Sequence, residues 1–180
     1  MTKILKVGLI GYGFAGKTFH APFIVNNANM ELAKVASSDA AKVHADYPDV
    51  QVVATPEAIF ADPAIDLVVI PTPNDTHFPL ARMALAAGKH VVVDKPFTLT
   101  SEEAFTLAKQ ADDAGLVLSV YHNRRFDSGY LTLKSLFDSK NSGISNILKS
   151  ILTVTARSRK NAGAKLPHWA VVSGMIWVLI

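Results

Sequence analysis

Short apolar runs alternate with longer amphipathic segments over the first two thirds of this 180-residue chain. Runs of four to seven residues that are rich in valine and bounded by turn residues predict parallel strands covered on both faces. Between them, apolar positions three and four residues apart predict helices, as in a βαβ protein. The strands are predicted at residues 4–10, 31–36, 50–53, 67–70, 90–93 and 116–120.

Capping residues mark where several helices begin and end. A helix predicted at residues 79–87 stops at Gly88, because glycine readily closes a helix in the left-handed conformation. Thr100 and Glu103 form a capping-box pattern that starts a helix ending at residue 114. Further helices are predicted from the glycine-rich turn to about residue 25, after Asp39, and at residues 130–137. Together these elements predict an α/β fold with a doubly wound parallel sheet, the Rossmann fold, over residues 1–121.

The first strand leads directly into Gly11-Tyr12-Gly13-Phe14-Ala15-Gly16. A strand, then G-x-G-x-x-G, then a helix is the turn that binds the pyrophosphate of a dinucleotide. The first glycine permits the tight turn, the second lets the pyrophosphate approach the backbone, and the third lets the helix pack close to the strand. The helix N-terminus offers free N–H groups to the anion. The turn, including Phe14 and Ala15, is therefore predicted to bind a nicotinamide dinucleotide.

The end of the second strand bears on which dinucleotide binds. NAD-binding domains carry an acidic residue near this position for the ribose 2′-hydroxyl. Here Ser37 and Ser38 occupy the strand end, and Lys42 lies one turn into the next helix, so there is room for a 2′-phosphate. NADP is the predicted cofactor. NAD stays open because Asp39 can reach the ribose, and an alternative is that the serines only cap the helix.

Polar and turn residues also follow the later strands, at the sheet edge where open α/β folds bind ligands. Residues 70–77 read I-P-T-P-N-D-T-H, although a single histidine before a helix is more often a cap or a packed residue. Lys95 follows the fifth strand and is either a surface lysine or a group beside the nicotinamide that transfers a proton. Arg124 and Arg125 follow the sixth strand and can bind anions or be ordinary surface charge.

These motifs resemble, in order and spacing, those of the Gfo/Idh/MocA oxidoreductases, the glucose–fructose oxidoreductase and inositol dehydrogenase group. The similarity covers residues 3 to about 143. It implies NAD(P)-dependent oxidation or reduction of a sugar, polyol or related carbonyl compound. It maps the catalytic lysine of the family's E-K-P motif onto Lys95, with Asp94 in place of the glutamate. The cofactor pocket that the resemblance implies contains Thr72, Pro73, Asn74, His77, Asp94, Lys95, Asn123 and Arg124.

Charge is distributed unevenly along the chain. The net charge is +3, but all 15 Asp and Glu lie in residues 1–138, while residues 139–180 carry six basic side chains and no acidic one. A basic tail can indicate affinity for nucleic acid or a membrane.

A different interpretation of this tail is favoured, and it comes from the genetic code. Read from the third base of each codon, Met175-Ile176-Trp177 can encode D-L-G, as in the family's W-Y-D-L-G-x-H motif.

One base missing near codon 143 would therefore make residues 144–180 an out-of-frame tail. Residues 122–143 would then be the start of a second, α+β substrate domain, with most of that domain and the oligomer interface missing. This hypothesis predicts a chain with impaired turnover. Two alternatives stay open: a genuine tail whose residues 169–180 contact a membrane, although about 20 apolar residues are needed to span one, and a natural, non-catalytic dinucleotide-binding module.

Composition narrows the remaining choices. The chain has no cysteine, which excludes disulfides and thiol chemistry. The N-terminus lacks the long apolar core of a signal peptide, so a cytoplasmic protein is expected. The expected partners are a nicotinamide dinucleotide and a small-molecule substrate, with no nucleic acid, membrane or metal.

Overall fold

The computed structural model describes residues 3–139, apart from the side chain of Phe137, and its centre is a six-stranded parallel sheet. All six predicted strands are confirmed, with ends that differ from the prediction by at most two residues. The strand order is β3-β2-β1-β4-β5-β6, the doubly wound order in which the strand order reverses between β1 and β4. The strands are β1 (Leu5–Ile10), β2 (Met30–Ala36), β3 (Gln51–Val53), β4 (Leu67–Ile70), β5 (His90–Val93) and β6 (Leu118–Val120).

Helices connect these strands. A π-helical turn, Gly16–His20, follows the glycine turn and continues into α1 (Ala21–Val25), so the prediction of a helix ending near residue 25 is confirmed. The other helices up to residue 114 are α2 (Ala40–His44), α3 (Glu57–Phe60), α4 (Asn74–Ala86) and α5 (Ser101–Ala114).

The predicted start of α4 at residue 79 is wrong, because the helix begins five residues earlier at Asn74. Pro79 lies inside the helix rather than at its first turn. Proline has no N–H, so at this position the helix loses one hydrogen bond, the bond to the carbonyl of Asp75. The helix tolerates this loss because Ala81, Ala84 and Leu85 on its inner face are buried against the sheet.

The predicted capping of α5 is confirmed in detail. The Thr100 hydroxyl accepts the Glu103 N–H, and the Glu103 carboxylate accepts the Thr100 N–H at 3.3 Å. At the other end Gly115 has φ +64°, the left-handed conformation that glycine adopts without strain. Both ends of α5 are therefore set by local sequence.

Two apolar layers enclose the sheet. Val7 and Leu9 of β1 pack on one face with α1 and α2, whereas Ile10 packs on the other face with α3, α4 and α5. Gly8 lies under α3, where an added Cβ would come within 2.4 Å of the Ile59 side chain. The middle of β1 therefore needs glycine for helix packing, and the strand positions the turn that follows it.

The chain divides into two units between His122 and Asn123. In the second unit the structure describes a 3-10 turn, Asn123–Phe126, and α6 (Ser128–Asp138), close to the predicted helix at residues 130–137. The domain boundaries at residues 121 and 143 stay predictions. The out-of-frame tail proposed for residues 144–180 lies outside the described residues. In the part of the chain that the structure describes, no helix has the length and apolar character needed to cross a membrane.

Candidate dinucleotide site

The glycine turn after β1 is shaped by its three glycines in different ways. Gly11 has φ +95°, and its N–H donates to the carbonyl of Ala36, which ties the turn to β2. A Cβ at Gly16 would come within 2.3 Å of the Gly11 carbonyl oxygen, so the helix approaches the turn more closely than any side chain allows. A Cβ at Gly13 would meet nothing within 4 Å. The turn therefore presents exposed backbone with free space above it, which fits a pyrophosphate.

An open cleft of about 370 Å³ lies beside this turn, at the carboxyl ends of β1, β2 and β4. This volume is within the range of small-molecule sites in proteins. The cleft is at the point where the strand order reverses, the expected ligand position in an open α/β sheet. Its lining brings together residues that the sequence placed in three separate segments: Gly11, Gly13, Ser37, Ser38, Lys42 and Thr72.

Asp39, not either serine, caps helix α2. Its Oδ1 accepts the backbone N–H of Lys42 at 3.0 Å. The Ser37 hydroxyl precedes the helix and accepts the N–H of Asp39 itself at 3.1 Å. The alternative that the serines only cap the helix is therefore wrong. One oxygen of the Asp39 carboxylate is directed at the helix backbone, while Ser38 and Lys42 are exposed at the cleft.

Tyr12, inside the glycine turn, forms a polar network that the sequence did not predict. Its hydroxyl donates to Asp46 Oδ2 at 2.8 Å, and Lys17 Nζ lies 2.6 Å from the same oxygen. Burial raises the pKa of Tyr12 above its usual range, and the hydrogen bond to Asp46 adds to this. The Lys17 ammonium lowers the pKa of Asp46. The network joins the turn to the chain after α2, and no local motif marks a pairing 34 residues apart.

His77 joins two of the predicted pocket segments through its imidazole ring. It is fully buried on α4, with Nδ1 2.8 Å from the Pro96 carbonyl and Nε2 2.9 Å from the Thr72 carbonyl. Both ring nitrogens therefore face protein backbone. The cofactor contact expected for His77 stays untested, but the geometry is that of a bridge between the loop after β4 and the loop after β5.

The loop after β5 carries Asp94 and Lys95. The Lys95 side chain is exposed, and its backbone N–H donates to Asp94 Oδ1 at 2.6 Å. Asp94 Oδ2 lies 3.4 Å from Nε2 of His20, a buried histidine at the end of the π-helical turn. Sequence reasoning missed His20. The one signal that the sequence offers is its position four residues after Gly16, the last glycine of the turn.

The remaining predicted residues are more dispersed. Pro73 and Asn74 are exposed at the start of α4, and Ala15 lies in the glycine turn. Phe14 is 76% exposed and makes an edge contact with Phe19. Asn123 and Arg124 belong to the second unit, where the Arg124 guanidinium lies 2.9 Å from Asp127. None of these placements tests a cofactor contact, so their binding roles stay predictions.

Fold and cleft together define a Rossmann-type dinucleotide-binding domain. Comparison with known proteins gives its family: the model of the GFO_IDH_MocA oxidoreductase family, NAD-binding Rossmann fold, matches residues 5–122. The chain belongs to this family, and the resemblance inferred from its motifs is confirmed.

Individual relatives agree with this assignment. The chain is 62% identical over 136 residues to the uncharacterized oxidoreductase YdgJ of Escherichia coli, covering 76% of this chain and 39% of the relative. It is 45% identical over 132 residues to the scyllo-inositol 2-dehydrogenase (NADP(+)) IolW of Bacillus subtilis, covering 73% and 37%. A solved structure of the YPO2259 putative oxidoreductase from Yersinia pestis superposes with a TM-score of 0.76 at 65% identity, covering 77% of this chain and 40% of that one. The chain thus spans about two fifths of the length of these proteins.

Proposed function

We propose that this chain binds NADP(H) and forms the cofactor-binding part of an oxidoreductase acting on a sugar, polyol or related carbonyl compound. The observation that carries the proposal is the single cleft in which the glycine turn meets Ser37, Ser38 and Lys42. Bound NADP(H) would supply the hydride or accept it. The name of the Bacillus subtilis relative, an NADP(+)-dependent inositol dehydrogenase, supports both the cofactor and the substrate class.

Different residues of the cleft bind different parts of the cofactor. The free N–H groups of the glycine turn hold the pyrophosphate, where Gly13 leaves room for it. The Ser38 hydroxyl and the Lys42 ammonium hold the 2′-phosphate. Asp39 favours the same cofactor, because one of its two carboxylate oxygens is already engaged in capping α2. Lys95 transfers a proton to or from the substrate oxygen as the hydride moves.

Titration calorimetry with NADPH and NADH tests the cofactor choice. Lys42→Gln is expected to weaken NADPH binding about tenfold, since a charge-assisted hydrogen bond is lost, and to leave NADH binding unchanged. Lys109→Gln is the matched control, because it removes the same charge from the exposed side of α5. Equal losses of NADPH and NADH affinity in Lys42→Gln would contradict a 2′-phosphate site.

We further propose that these 180 residues alone turn over substrate weakly or not at all. The support is that the matched segment makes up 39% of the Escherichia coli relative. A second candidate function is a non-catalytic dinucleotide-binding module, favoured because the cleft lies entirely within residues 10–72. Assay of the purified chain with NADP⁺ and a panel of sugars and polyols addresses both. Robust turnover would overturn the claim of weak activity and exclude the module.

A further inference from the structure

We propose that His20 is a positioning residue that holds the Asp94 carboxylate, and through it the backbone of Lys95, in place relative to the glycine-turn helix. This inference deepens the proposed function and rests on it for the role of Lys95. It is carried by a contact between two segments that are 74 positions apart: the helix that follows the pyrophosphate turn and the loop that carries the lysine.

The first observation is an unpaired polar atom. Among the described residues, Nε2 of His20 is the one buried side-chain nitrogen or oxygen that makes no hydrogen bond. The side chain is 3% exposed, so this nitrogen lies away from bulk solvent. Nε2 nevertheless lies 3.4 Å from Asp94 Oδ2. At this distance a small movement of either group is enough to bring the pair into hydrogen-bond geometry.

The second observation is that Asp94 is already fixed at its other contacts. Its Oδ1 accepts the Lys95 N–H at 2.6 Å, and its own N–H donates to the Ile70 carbonyl at 3.0 Å. One carboxylate therefore faces the imidazole with one oxygen and the lysine backbone with the other. Rotation of the carboxylate would break its hydrogen bond with the Lys95 N–H. By opposing that rotation, His20 Nε2 helps to keep this bond in place.

The third observation is that the imidazole ring also contacts an aromatic ring. The Tyr121 ring lies 4.3 Å from the His20 ring between centroids, tilted by 45°. The Tyr121 hydroxyl donates to the Phe19 carbonyl at 3.1 Å, which fixes that ring to the same π-helical turn. Burial lowers the pKa of His20, although the Asp94 charge opposes this, so burial favours the neutral form of the ring. A neutral ring has one N–H, and only the Nε2–H tautomer can donate to Asp94.

The test reads the Lys95 amide and the His20 ring by NMR in the full 180-residue chain, first without cofactor and then with NADPH. In the cofactor-free chain His20→Leu is expected to speed hydrogen exchange of the Lys95 amide about tenfold, because the carboxylate that accepts its N–H is no longer held. His20→Gln keeps an N–H donor at the Nε2 position and is expected to restore slow exchange. Unchanged exchange in His20→Leu would overturn the proposal.

Loss of folding in His20→Leu is covered by a second measurement. In ¹⁵N-histidine-labelled wild-type chain the His20 ring should show the Nε2–H tautomer, and Asp94→Asn should shift that signal while leaving His44 unchanged. A ring in the Nδ1–H tautomer, or a signal insensitive to Asp94→Asn, would refute the proposal. NADPH affinity is recorded in the same samples. A wild-type chain that does not bind NADPH contradicts the proposed function, whereas the exchange and tautomer results still decide the role of His20.

Discussion

At the scale of single residues, the three glycines of the turn have different tasks, and the difference can be measured. Gly16 is needed for the full stability of the fold, because a Cβ there would overlap the Gly11 carbonyl. Gly13 is not needed for folding, since a Cβ there would enter open space. The space above Gly13 matters only if a ligand fills it. The structure thus separates a packing glycine from a binding glycine within one motif.

Gly16→Ala is therefore expected to destabilise the fold by about 1–3 kcal/mol, the usual cost of overpacking. Gly13→Ala is expected to leave the free energy of unfolding nearly unchanged while weakening NADPH binding, because the methyl group occupies the place of the pyrophosphate. Urea denaturation and calorimetric titration of both variants provide the two readings. If Gly13→Ala binds NADPH as tightly as the wild type, the pyrophosphate does not lie on this turn.

His77 is the second residue whose geometry gives a prediction. Its ring nitrogens lie 2.8 Å from the Pro96 carbonyl oxygen and 2.9 Å from the Thr72 carbonyl oxygen. A carbonyl oxygen only accepts, so the ring is the donor of any hydrogen bond at this bridge. His77→Phe leaves both carbonyls without this donor and is expected to cost about 1–3 kcal/mol of stability. His44→Phe is the control, because that ring is exposed and contacts one carbonyl. Equal stability losses in the two variants would show that the bridge contributes nothing.

At the scale of elements, local sequence predicts most of the structure where the stabilising interactions are themselves local. Strand positions, the α5 capping box and the glycine closures at Gly88 and Gly115 depend on residues a few positions apart. The start of α4 is the exception, because packing of its inner face outweighs the signal of Pro79. The true start of this helix therefore follows from tertiary contacts, which a local pattern does not contain.

The site follows the same division. The glycine turn and the strand-end residues were recognisable because they occur in contiguous motifs. Tyr12–Asp46 and His20–Asp94 join positions 34 and 74 residues apart, and nothing in the sequence marks which acidic residue meets which partner. A fold can bring such pairs together only once the sheet order is known. These side-chain pairs are what the structure adds to the motifs.

The capping box gives a prediction for one element. Thr100→Ala removes the acceptor of the Glu103 N–H and is expected to lower the free energy of unfolding by about 1 kcal/mol. Ser101→Ala, at the next position, is the control and should change stability by less than about 0.5 kcal/mol, since the Ser101 hydroxyl contacts only an exposed side chain. Chemical denaturation monitored by circular dichroism measures both. Equal effects would mean that the cap bond contributes nothing to stability.

At the scale of the whole molecule, the dependence of stability on pH reflects two sets of groups whose pKa values differ between the folded and the unfolded chain. Lys17, Lys34 and Lys3 lower the pKa values of Asp46, Asp62 and Asp66 respectively. A carboxyl with a lowered pKa contributes stability above its unfolded pKa of about 4, and that contribution is lost as the pH falls further. His20 affects stability at higher pH, because an unfolded histidine titrates near pH 6.5. Burial beside the Tyr121 ring lowers the pKa of His20 in the folded chain, although the facing Asp94 carboxylate opposes this.

The unfolded chain therefore takes up a proton at His20 near pH 6.5, whereas the folded chain takes it up only at lower pH, so stability is expected to fall as the pH drops below 6.5. In His20→Gln this first decline should disappear, while the second decline below about pH 4 remains because the three aspartates are intact. Urea unfolding at a series of pH values from 8 to 3 measures both steps. Asp66→Asn is the complementary variant and should flatten only the lower step. A His20→Gln chain whose stability still declines between pH 6.5 and 5 as in the wild type would show that another group titrates there.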